Sequence, residues 1–316
     1  MKLGILFAGQ GSQKPGMGAD FYEKSRRFQA VFDLLPPEQR RAAFEGPMEV
    51  LSDTRNTQPV MVAFAAGVMA ELSPALSELG VEPAMAAGLS LGEYSALHAA
   101  GVFDAKTAID LVTKRAAAMA DAAKGVDCAM KAVMGLARET LAGCCAEAAD
   151  YGTVQIANYN CPGQIVIAGE RNAVERAAAL ALTAGAKRCV PLPVSGPFHT
   201  KFMEPAGCVL DGIFAETVFE EMHFPVVFNA VGREKRPEET VSDLLVRQVS
   251  GSVYFEDTIK AMAAAGVDTV IEIGPGKALS GFVRKTDRNM KVMNIDTWED
   301  LQKVVEELKT SKGGAA

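Results

Sequence analysis

The chain has 316 residues, 49% of them hydrophobic, and its 32 basic and 39 acidic side chains give a net charge of -7. This length predicts one large domain, or a large domain with an inserted module. The negative balance argues against nucleic acid as the main partner, because phosphate binding requires clustered positive charge.

The apolar segments predict core elements rather than export or membrane signals. The run at residues 1–7 stops at Gly9 without a small-residue cleavage pattern, so it is interpreted as a first buried strand. The run at residues 60–70 is too short to span a bilayer and predicts a core helix. We therefore expect a cytoplasmic protein that does not bind a membrane.

The six cysteines and three histidines form no metal-binding pattern in the sequence. No two cysteines have C-x-x-C spacing, and the histidines are too few and too scattered to complete a ligand set. We expect reduced thiols with structural roles, no metal and no tightly bound cofactor.

Strands and helices alternate through the first part of the chain. The patterns predict a strand at 3–8, a helix at 58–79, a strand at 84–87 and helices at 91–100 and 105–123. After Pro197 the same rhythm returns, with strands at 224–230, 269–273 and 291–294, a helix at 300–309 and a disordered tail at 312–316. Such alternation predicts a mostly parallel sheet.

The middle of the chain has a different order of elements. Strands are predicted at 129–136, 154–158, 164–168 and 188–194, with helices at 138–149 and 173–184. This βαββαβ order is the ferredoxin-like pattern. The fold class is therefore α/β: a large α/β-hydrolase-like domain (1–126 and 195–316) with an inserted small ferredoxin-like domain (127–194).

Gly88-Leu89-Ser90-Leu91-Gly92 matches the G-x-S-x-G nucleophile elbow. A serine on a sharp strand-to-helix turn projects its hydroxyl, and the following helix presents free N–H groups to a developing oxyanion. The N–H of Leu91 is one candidate donor, and the turn at residues 9–11 is a candidate for the second. A purely structural turn is the alternative at both places.

A serine nucleophile needs a base, and the chain offers three histidines. His98 lies eight residues along the helix after Ser90, which corresponds to about 12 Å of rise and excludes direct contact. His223 precedes a predicted strand and suits a structural or surface role. His199 lies where the chain leaves the inserted domain, in a segment predicted to cross the cleft between the domains. No acidic residue is clearly placed as a third triad member.

Several short motifs, in order along the chain, together resemble the malonyl-CoA:acyl carrier protein transacylase family. The resemblance covers nearly the whole chain. Its motifs are residues 7–13 (Phe-Ala-Gly-Gln-Gly-Ser-Gln), 88–93 (Gly-Leu-Ser-Leu-Gly-Glu), Arg115 with Met119, 158–164 (Asn-Tyr-Asn-Cys-Pro-Gly-Gln), 192–199 (Leu-Pro-Val-Ser-Gly-Pro-Phe-His) and 273–277 (Ile-Gly-Pro-Gly-Lys).

The resemblance implies a role for each matched position. It implies a catalytic Ser–His dyad, two backbone donors for the oxyanion, an arginine for the malonyl carboxylate and a main-chain carbonyl that orients the histidine. These are Ser90 and His199, Gln10 and Leu91, Arg115, and Gln248, with Met119, Asn160 and Phe198 as further substrate-binding residues.

Two of these residues also have ordinary alternatives. A guanidinium can bind a carboxylate bidentately, but without the resemblance Arg115 would be assigned to solvent. The bulky Phe198 would disfavour a methyl-branched substrate by about 10- to 100-fold, whereas its alternative is core packing. The chain departs from the family pattern at Leu89, Ala8 and Gly196, where histidine, proline and alanine are usual.

The expected function is transfer of a malonyl group from malonyl-CoA to the pantetheine thiol of acyl carrier protein through a malonyl-serine, in fatty acid biosynthesis, by a monomer. The alternatives are a serine esterase or thioesterase, a polyketide-synthase acyltransferase, or a non-catalytic pantetheine-binding protein. An acidic carrier would dock on basic residues, with ordinary solvated charge as the alternative. The candidates are Lys187 with Arg188, and Arg284, Lys285, Arg288 and Lys291.

Overall fold

The computed structural model describes residues 1–313, and the side chains of residues 1–311. The strands in this part of the chain are β1 (Leu3–Phe7), β2 (Pro83–Gly88), β3 (Cys128–Met134), β4 (Val154–Cys161), β5 (Gln164–Glu170), β6 (Arg188–Pro191), β7 (Val227–Phe228), β8 (Arg233–Glu234), β9 (Thr269–Ile273) and β10 (Lys291–Ile295).

The helices over the same residues are α1 (Ala19–Lys24), α2 (Arg26–Phe32), α3 (Pro37–Glu45), α4 (Met48–Leu51), α5 (Thr54–Glu78), α6 (Gly92–Ala99), α7 (Ala105–Ala122), α8 (Arg138–Glu147), α9 (Arg171–Thr183), α10 (Glu204–Ala215), α11 (Val241–Ser250), α12 (Phe255–Ala264), α13 (Ala278–Thr286) and α14 (Trp298–Gly313).

The chain divides into two compact units. Unit 1 comprises Met1–Thr113, Val218–Val227 and Met262–Ala316, and unit 2 comprises Lys114–Thr217 and Phe228–Ala261. The inserted domain predicted at 127–194 falls wholly within unit 2. Its boundaries stay a prediction.

Unit 1 is built on a parallel sheet of four strands in the order β10-β9-β1-β2. The two central strands, β1 and β9, are buried along their whole length. Strands buried along their whole length are typical of a parallel sheet covered on both faces. The predicted parallel sheet is therefore confirmed.

Helix α5 is the long apolar helix of unit 1. By length and composition it could cross a bilayer, yet 67% of its most apolar window is buried inside the protein. It packs against α2, α6 and α14, all within unit 1. This burial confirms the predicted core helix, which begins at Thr54 and ends at Glu78, well beyond the apolar run that indicated it.

Unit 2 contains an antiparallel sheet in the order β4-β5-β3-β6. Helices α8 and α9 pack on it around a core that includes Val133, Leu141, Ile167 and Val174. The element order β3-α8-β4-β5-α9-β6 and this strand order are those of a ferredoxin-like sheet. The predicted α/β fold with a small antiparallel part is confirmed.

The structure corrects three details of the predicted elements. The strand expected at 224–230 is reduced to β7, because Pro225 has no N–H and only its carbonyl oxygen pairs, with the N–H of Ala86 at 2.9 Å. Helices α1 to α4 and α10 to α13 were not predicted. Helix α14 includes the first two residues of the tail predicted to be disordered, and residues 314–316 lie outside the described part of the chain.

Candidate active site

Ser90 stands on a sharp turn between the end of β2 and the start of α6, in unit 1. Its φ angle is 52°, a left-handed conformation that residues other than glycine rarely adopt. The residue is partly exposed. Backbone strain of this kind is concentrated at functional sites, and this strand–turn–helix arrangement is the one that a nucleophile elbow requires.

The two glycines of the motif are needed because the turn packs backbone against backbone. A Cβ atom on Gly88 would overlap the carbonyl group of Gly92 and lie 2.5 Å from the backbone nitrogen of Glu93. A Cβ atom on Gly92 would overlap the carbonyl oxygen of Phe7, at the end of β1. Any larger residue at either position would push the elbow away from the sheet.

Two backbone donors lie on segments that meet at the elbow. A Cβ atom on Gly9 would overlap the carbonyl oxygen of Leu89, so the turn after β1 passes directly against the elbow. The hydroxyl of Ser12 holds this turn by donating to the carbonyl oxygen of Gly9 at 2.8 Å. Over residues 1–313, the backbone N–H groups of Gln10 and Leu91 have no hydrogen-bond acceptor. Both N–H groups are therefore available to an oxyanion.

His199 is buried in unit 2, and its backbone is also left-handed, with φ 60°. Its Nδ1 lies 2.8 Å from the carbonyl oxygen of Gln248. Because a carbonyl oxygen can only accept, Nδ1 carries the hydrogen, and Nε2 is the basic nitrogen of the neutral ring. Burial, and then the positive charge of Arg115, lower the pKa of His199 to about 4. The imidazole is therefore neutral near pH 7 and can act as a base.

Arg115 is one of the largest fully buried side chains, with 1% of its surface exposed. The alternative that assigned it to solvent is therefore wrong. Its Nη2 donates to the side-chain oxygen of Gln248 at 3.0 Å. Gln248, on α11, is fully buried. Its side chain contacts Arg115 and its carbonyl oxygen contacts His199. A buried guanidinium held in this way is suited to bind a carboxylate.

The other three predicted substrate-binding residues are also buried in unit 2. Met119 lies four residues after Arg115 on α7. Phe198 packs beside Gly196, where a Cβ atom would lie 2.9 Å from its ring. Asn160, on β4, is 7% exposed, and within the described chain its side-chain oxygen has no hydrogen-bond partner. A buried amide oxygen without a partner is uncommon and indicates a ligand position.

Ser90, Gln10 and Leu91 belong to unit 1, whereas the remaining predicted residues belong to unit 2. Their assembly into one site stays a prediction. The predicted site residues in unit 2 are His199, Arg115, Met119, Phe198, Asn160 and Gln248.

The other two histidines have structural surroundings in unit 1. Nδ1 of His98 donates to the carbonyl oxygen of Phe103 at 3.0 Å, and burial lowers the pKa of His98. The ring of His223 packs against Gly101, where a Cβ atom would lie 2.5 Å from the ring. These contacts agree with the choice of His199 as the base.

The sequence did not reveal two contacts of the candidate base and arginine. The backbone of Gly251 forms a hydrogen bond that raises the pKa of His199 against the effect of burial. The side chain of Gln248 holds Arg115, a role distinct from that of its carbonyl group. Both arise from tertiary packing of α11, and no local sequence pattern could have indicated them.

One departure from the family pattern has a visible consequence. The N–H of Ala8 donates to the carbonyl oxygen of Ile273 at 3.0 Å, a bond that the usual proline could not make. Across the described residues, no group of three potential metal-ligating side chains occurs.

Comparison with known proteins identifies the family. The model of the acyl transferase domain family matches residues 5–299. A malonyl CoA-acyl carrier protein transacylase of Bacillus subtilis is 38% identical to the chain over 99% of both sequences. The malonyl CoA-acyl carrier protein transacylase of Escherichia coli strain K12 is also 38% identical, over 90% of this chain and 92% of its own length.

Solved structures agree with the sequence relatives. The crystal structure of malonyl CoA-acyl carrier protein transacylase from Clostridium perfringens covers 100% of this chain and 99% of its own, with a TM-score of 0.91 and 38% identity. A malonyl-transacylase in complex with its type II polyketide-synthase acyl-carrier protein covers 97% of this chain and 100% of its own, with a TM-score of 0.91 and 35% identity. The chain therefore belongs to the acyl transferase domain family and, within it, to the malonyl-CoA:acyl carrier protein transacylases.

Proposed function

We propose that the chain transfers a malonyl group from malonyl-CoA to the pantetheine thiol of an acyl carrier protein, as an [acyl-carrier-protein] S-malonyltransferase of fatty acid biosynthesis. The observation that carries the proposal is the left-handed Ser90 between β2 and α6, in a chain whose full-length relatives have the name of this activity. The enzyme would act as a monomer in the cytoplasm. Its chemistry would need no cofactor.

In the first half-reaction, Ser90 becomes malonylated. Nε2 of His199 takes the proton from the Ser90 hydroxyl while the Ser90 oxygen attacks the thioester carbonyl carbon of malonyl-CoA. The backbone N–H groups of Gln10 and Leu91 stabilise the tetrahedral oxyanion. As the intermediate collapses, the carbon–sulfur bond breaks and His199 returns the proton to the sulfur, releasing CoA as a thiol.

In the second half-reaction, the pantetheine thiol of the carrier protein attacks the malonyl-serine ester. His199 removes the thiol proton and passes it to the Ser90 oxygen as that oxygen leaves. The enzyme returns to its starting state, and the malonyl group is again held as a thioester. The two half-reactions share one acyl-enzyme, so the kinetics are ping-pong.

The neutral state of His199 supports its role as the base. A histidine protonated at pH 7 could not accept the serine proton, and burial together with Arg115 holds the pKa of His199 at about 4. The carbonyl oxygen of Gln248 keeps the hydrogen on Nδ1, so Nε2 is the nitrogen that accepts the proton. In the proposed site, the carbonyl oxygen of Gln248 takes the place of the carboxylate that accepts from the histidine in a full triad.

Selection of the acyl group is assigned to residues of unit 2. Arg115 binds the free carboxylate of the malonyl group, and Met119 and Asn160 contribute to the same pocket. Phe198 crowds a substituent on the α-carbon, so a methyl-branched acyl group would be disfavoured by about 10- to 100-fold.

The carrier protein would dock on exposed basic residues. Lys187, Arg188, Arg284, Lys285 and Arg288 are all exposed, whereas Lys291 forms an ion pair with Glu307 at 2.9 Å. Changing Arg284 and Lys285 to glutamate should raise the KM for the carrier and leave the KM for malonyl-CoA unchanged. An unchanged KM for the carrier would remove both residues from the docking surface.

A polyketide pathway is the second candidate. It is favoured by the likeness to a transacylase solved with a polyketide-synthase carrier protein. Comparing kcat/KM for a fatty-acid carrier and a polyketide carrier at the same ionic strength would separate the two pathways, because both carriers present the same thiol and differ only in the surface that docks.

The chemical proposal is tested by intact mass spectrometry after mixing the protein with malonyl-CoA. We expect the mass to increase by one malonyl group, and no increase in the variant Ser90→Ala. A hydrolase would transfer the acyl group from Ser90 to water faster than to a thiol. Whether the malonyl group ends on the carrier protein or as free malonate therefore decides between transferase and thioesterase. Normal turnover by Ser90→Ala would overturn the mechanism.

A further inference from the structure

Gln248 holds two functional groups of unit 2 with two different parts of the same residue. Its main-chain oxygen accepts from Nδ1 of His199 at 2.8 Å, and its side-chain oxygen accepts from Nη2 of Arg115 at 3.0 Å. The residue is on α11 and is fully buried. The base and the arginine are therefore positioned from one point on one helix.

The two hydrogen bonds differ in what a substitution can change. The bond to His199 comes from the backbone and persists whichever side chain is at position 248. The bond to Arg115 comes from the amide and depends on that side chain. Substitutions at position 248 therefore change the support of Arg115 and leave the hydrogen bond of His199 in place.

An amide supports a guanidinium differently from a carboxylate. It accepts one of the five N–H donors of arginine and adds no negative charge. A carboxylate in the same place would form an ion pair with Arg115, which is a stronger and charge-neutralising contact. A second carboxylate, from a substrate, would then have to compete for the same guanidinium.

We propose that the side chain of Gln248 is a specificity-determining positioning residue: its neutral amide fixes Arg115 for an acyl group that ends in a carboxylate. The inference rests on the proposed function, in which Arg115 binds the malonyl carboxylate. It adds that selectivity for a carboxylated acyl group depends on the uncharged character of position 248.

Two further observations support this role. Arg115 is 1% exposed, so water cannot take over the orienting role of the amide if it is removed. The positive charge of Arg115 also acts on its surroundings, because it contributes to the lowered pKa of His199. The side chain at position 248 therefore contacts a buried guanidinium whose positive charge affects the pKa of His199.

The test compares Gln248→Glu and Gln248→Met with the parent enzyme, using malonyl-CoA and acetyl-CoA as donors. These donors share the thioester and differ in the terminal carboxylate, so the ratio of their single-turnover acylation rates measures carboxylate recognition. We expect Gln248→Glu to lower this ratio by about 100-fold, the loss of one charge-assisted contact. Acetylation of Ser90 should fall less than malonylation, because an acetyl group has no carboxylate for Arg115 to bind.

The uncharged variant tests the positioning role separately from charge. Gln248→Met keeps the length of the side chain and removes the acceptor. It should raise the KM for malonyl-CoA by about tenfold and lower the malonyl-to-acetyl ratio. Gln155→Glu is the matched control, because it adds the same charge at an exposed position of unit 2. That control should keep the parent ratio.

The outcomes separate the inference from the function it rests on. If the parent protein forms no malonyl-serine, the proposed function fails. If the parent is malonylated and both folded Gln248 variants keep its malonyl-to-acetyl ratio, the function stands and the role of Gln248 is overturned. A variant that loses both activities equally, while circular dichroism shows it folded, would also contradict the inference. Should Gln248→Glu not fold, the ratio in Gln248→Met decides.

Discussion

The guanidinium of Arg138 lies over the ring of Tyr159, with its carbon atom 4.5 Å from the ring centroid. Tyr159 also stacks on Tyr254, with the ring centroids 5.1 Å apart. Arg138 also pairs with Asp257 at 2.7 Å, in the first turn of α12. The start of α8, the end of β4 and the start of α12 are thus fastened together within unit 2.

Replacing Arg138 by alanine should destabilise the protein by about 1–3 kcal/mol, because it removes a cation–π contact and two ion pairs, with Asp257 and Glu256, that are partly shielded from water. Arg138→Lys should recover less than half of the loss, since a lysine lacks the planar group that stacks on the ring. Urea denaturation measures both values. Equal stability of the lysine variant and the parent would show that charge alone matters here.

The packing of the elbow can be tested by comparing two glycines. The space around Gly88, in the elbow, is filled by backbone, whereas the space around Gly281 is open. A Cβ atom on Gly88 would overlap Gly92, whereas one on Gly281, inside α13, would meet nothing within 4 Å. We expect Gly88→Ala to cost more than about 3 kcal/mol or to prevent folding. Gly281→Ala should be neutral or stabilise by up to about 1 kcal/mol. Similar unfolding midpoints for the two variants would contradict the packing of the elbow.

How much the sequence could predict depends on how local each feature is. The elbow around Ser90 was predictable because five consecutive residues encode a turn, and the parallel sheet because apolar strands recur between helices. The segment after α11 was not predictable. Val253 pairs with β4, since its N–H donates to the carbonyl oxygen of Ala157 at 2.8 Å, and that pairing joins residues almost a hundred positions apart.

The same limit applies to the surroundings of His199. The family resemblance indicated the carbonyl group of Gln248, but the buried amide contact with Arg115 depends on how α11 packs, which propensity and periodicity do not specify. The short helices α1 to α4 were missed for a related reason. They have few residues each, so their apolar period is too brief to detect.

The acid limb of the acylation rate should report the pKa of His199. Protonation removes the base, so the rate falls as the pH drops through that pKa, which burial and Arg115 hold at about 4 instead of 6.5. With acetyl-CoA as donor, we expect an acylation rate that is constant from neutral pH to about pH 5 and falls below it. Circular dichroism at each pH confirms that the protein is folded.

Removing Arg115 should move this limb in a direction that the charge dictates. Arg115→Met deletes the positive charge that lowers the pKa of His199, while the effect of burial remains. The acid limb should therefore shift to higher pH without reaching 6.5. A shift to lower pH, or none in a folded variant, would show that Arg115 does not act on the ring.

Asn160 should show opposite effects on stability and activity. Its side-chain oxygen is buried, and within the described chain it has no hydrogen-bond partner, so the folded protein bears the desolvation cost of this oxygen without a compensating bond. Asn160→Leu should leave the melting temperature unchanged or raise it, and lower kcat/KM for malonyl-CoA by about 10- to 100-fold.

The control for this prediction is Asn294→Leu, in unit 1. The amide of Asn294 donates to Glu272 at 2.8 Å and to Ser280 at 2.5 Å, so its loss removes two hydrogen bonds from the buried network around Glu272. That variant should lose about 1–3 kcal/mol of stability and keep its kcat/KM at a temperature where it is folded. If Asn160→Leu is instead destabilised by a similar amount and fully active, the amide has a structural role and its place in the substrate pocket is refuted.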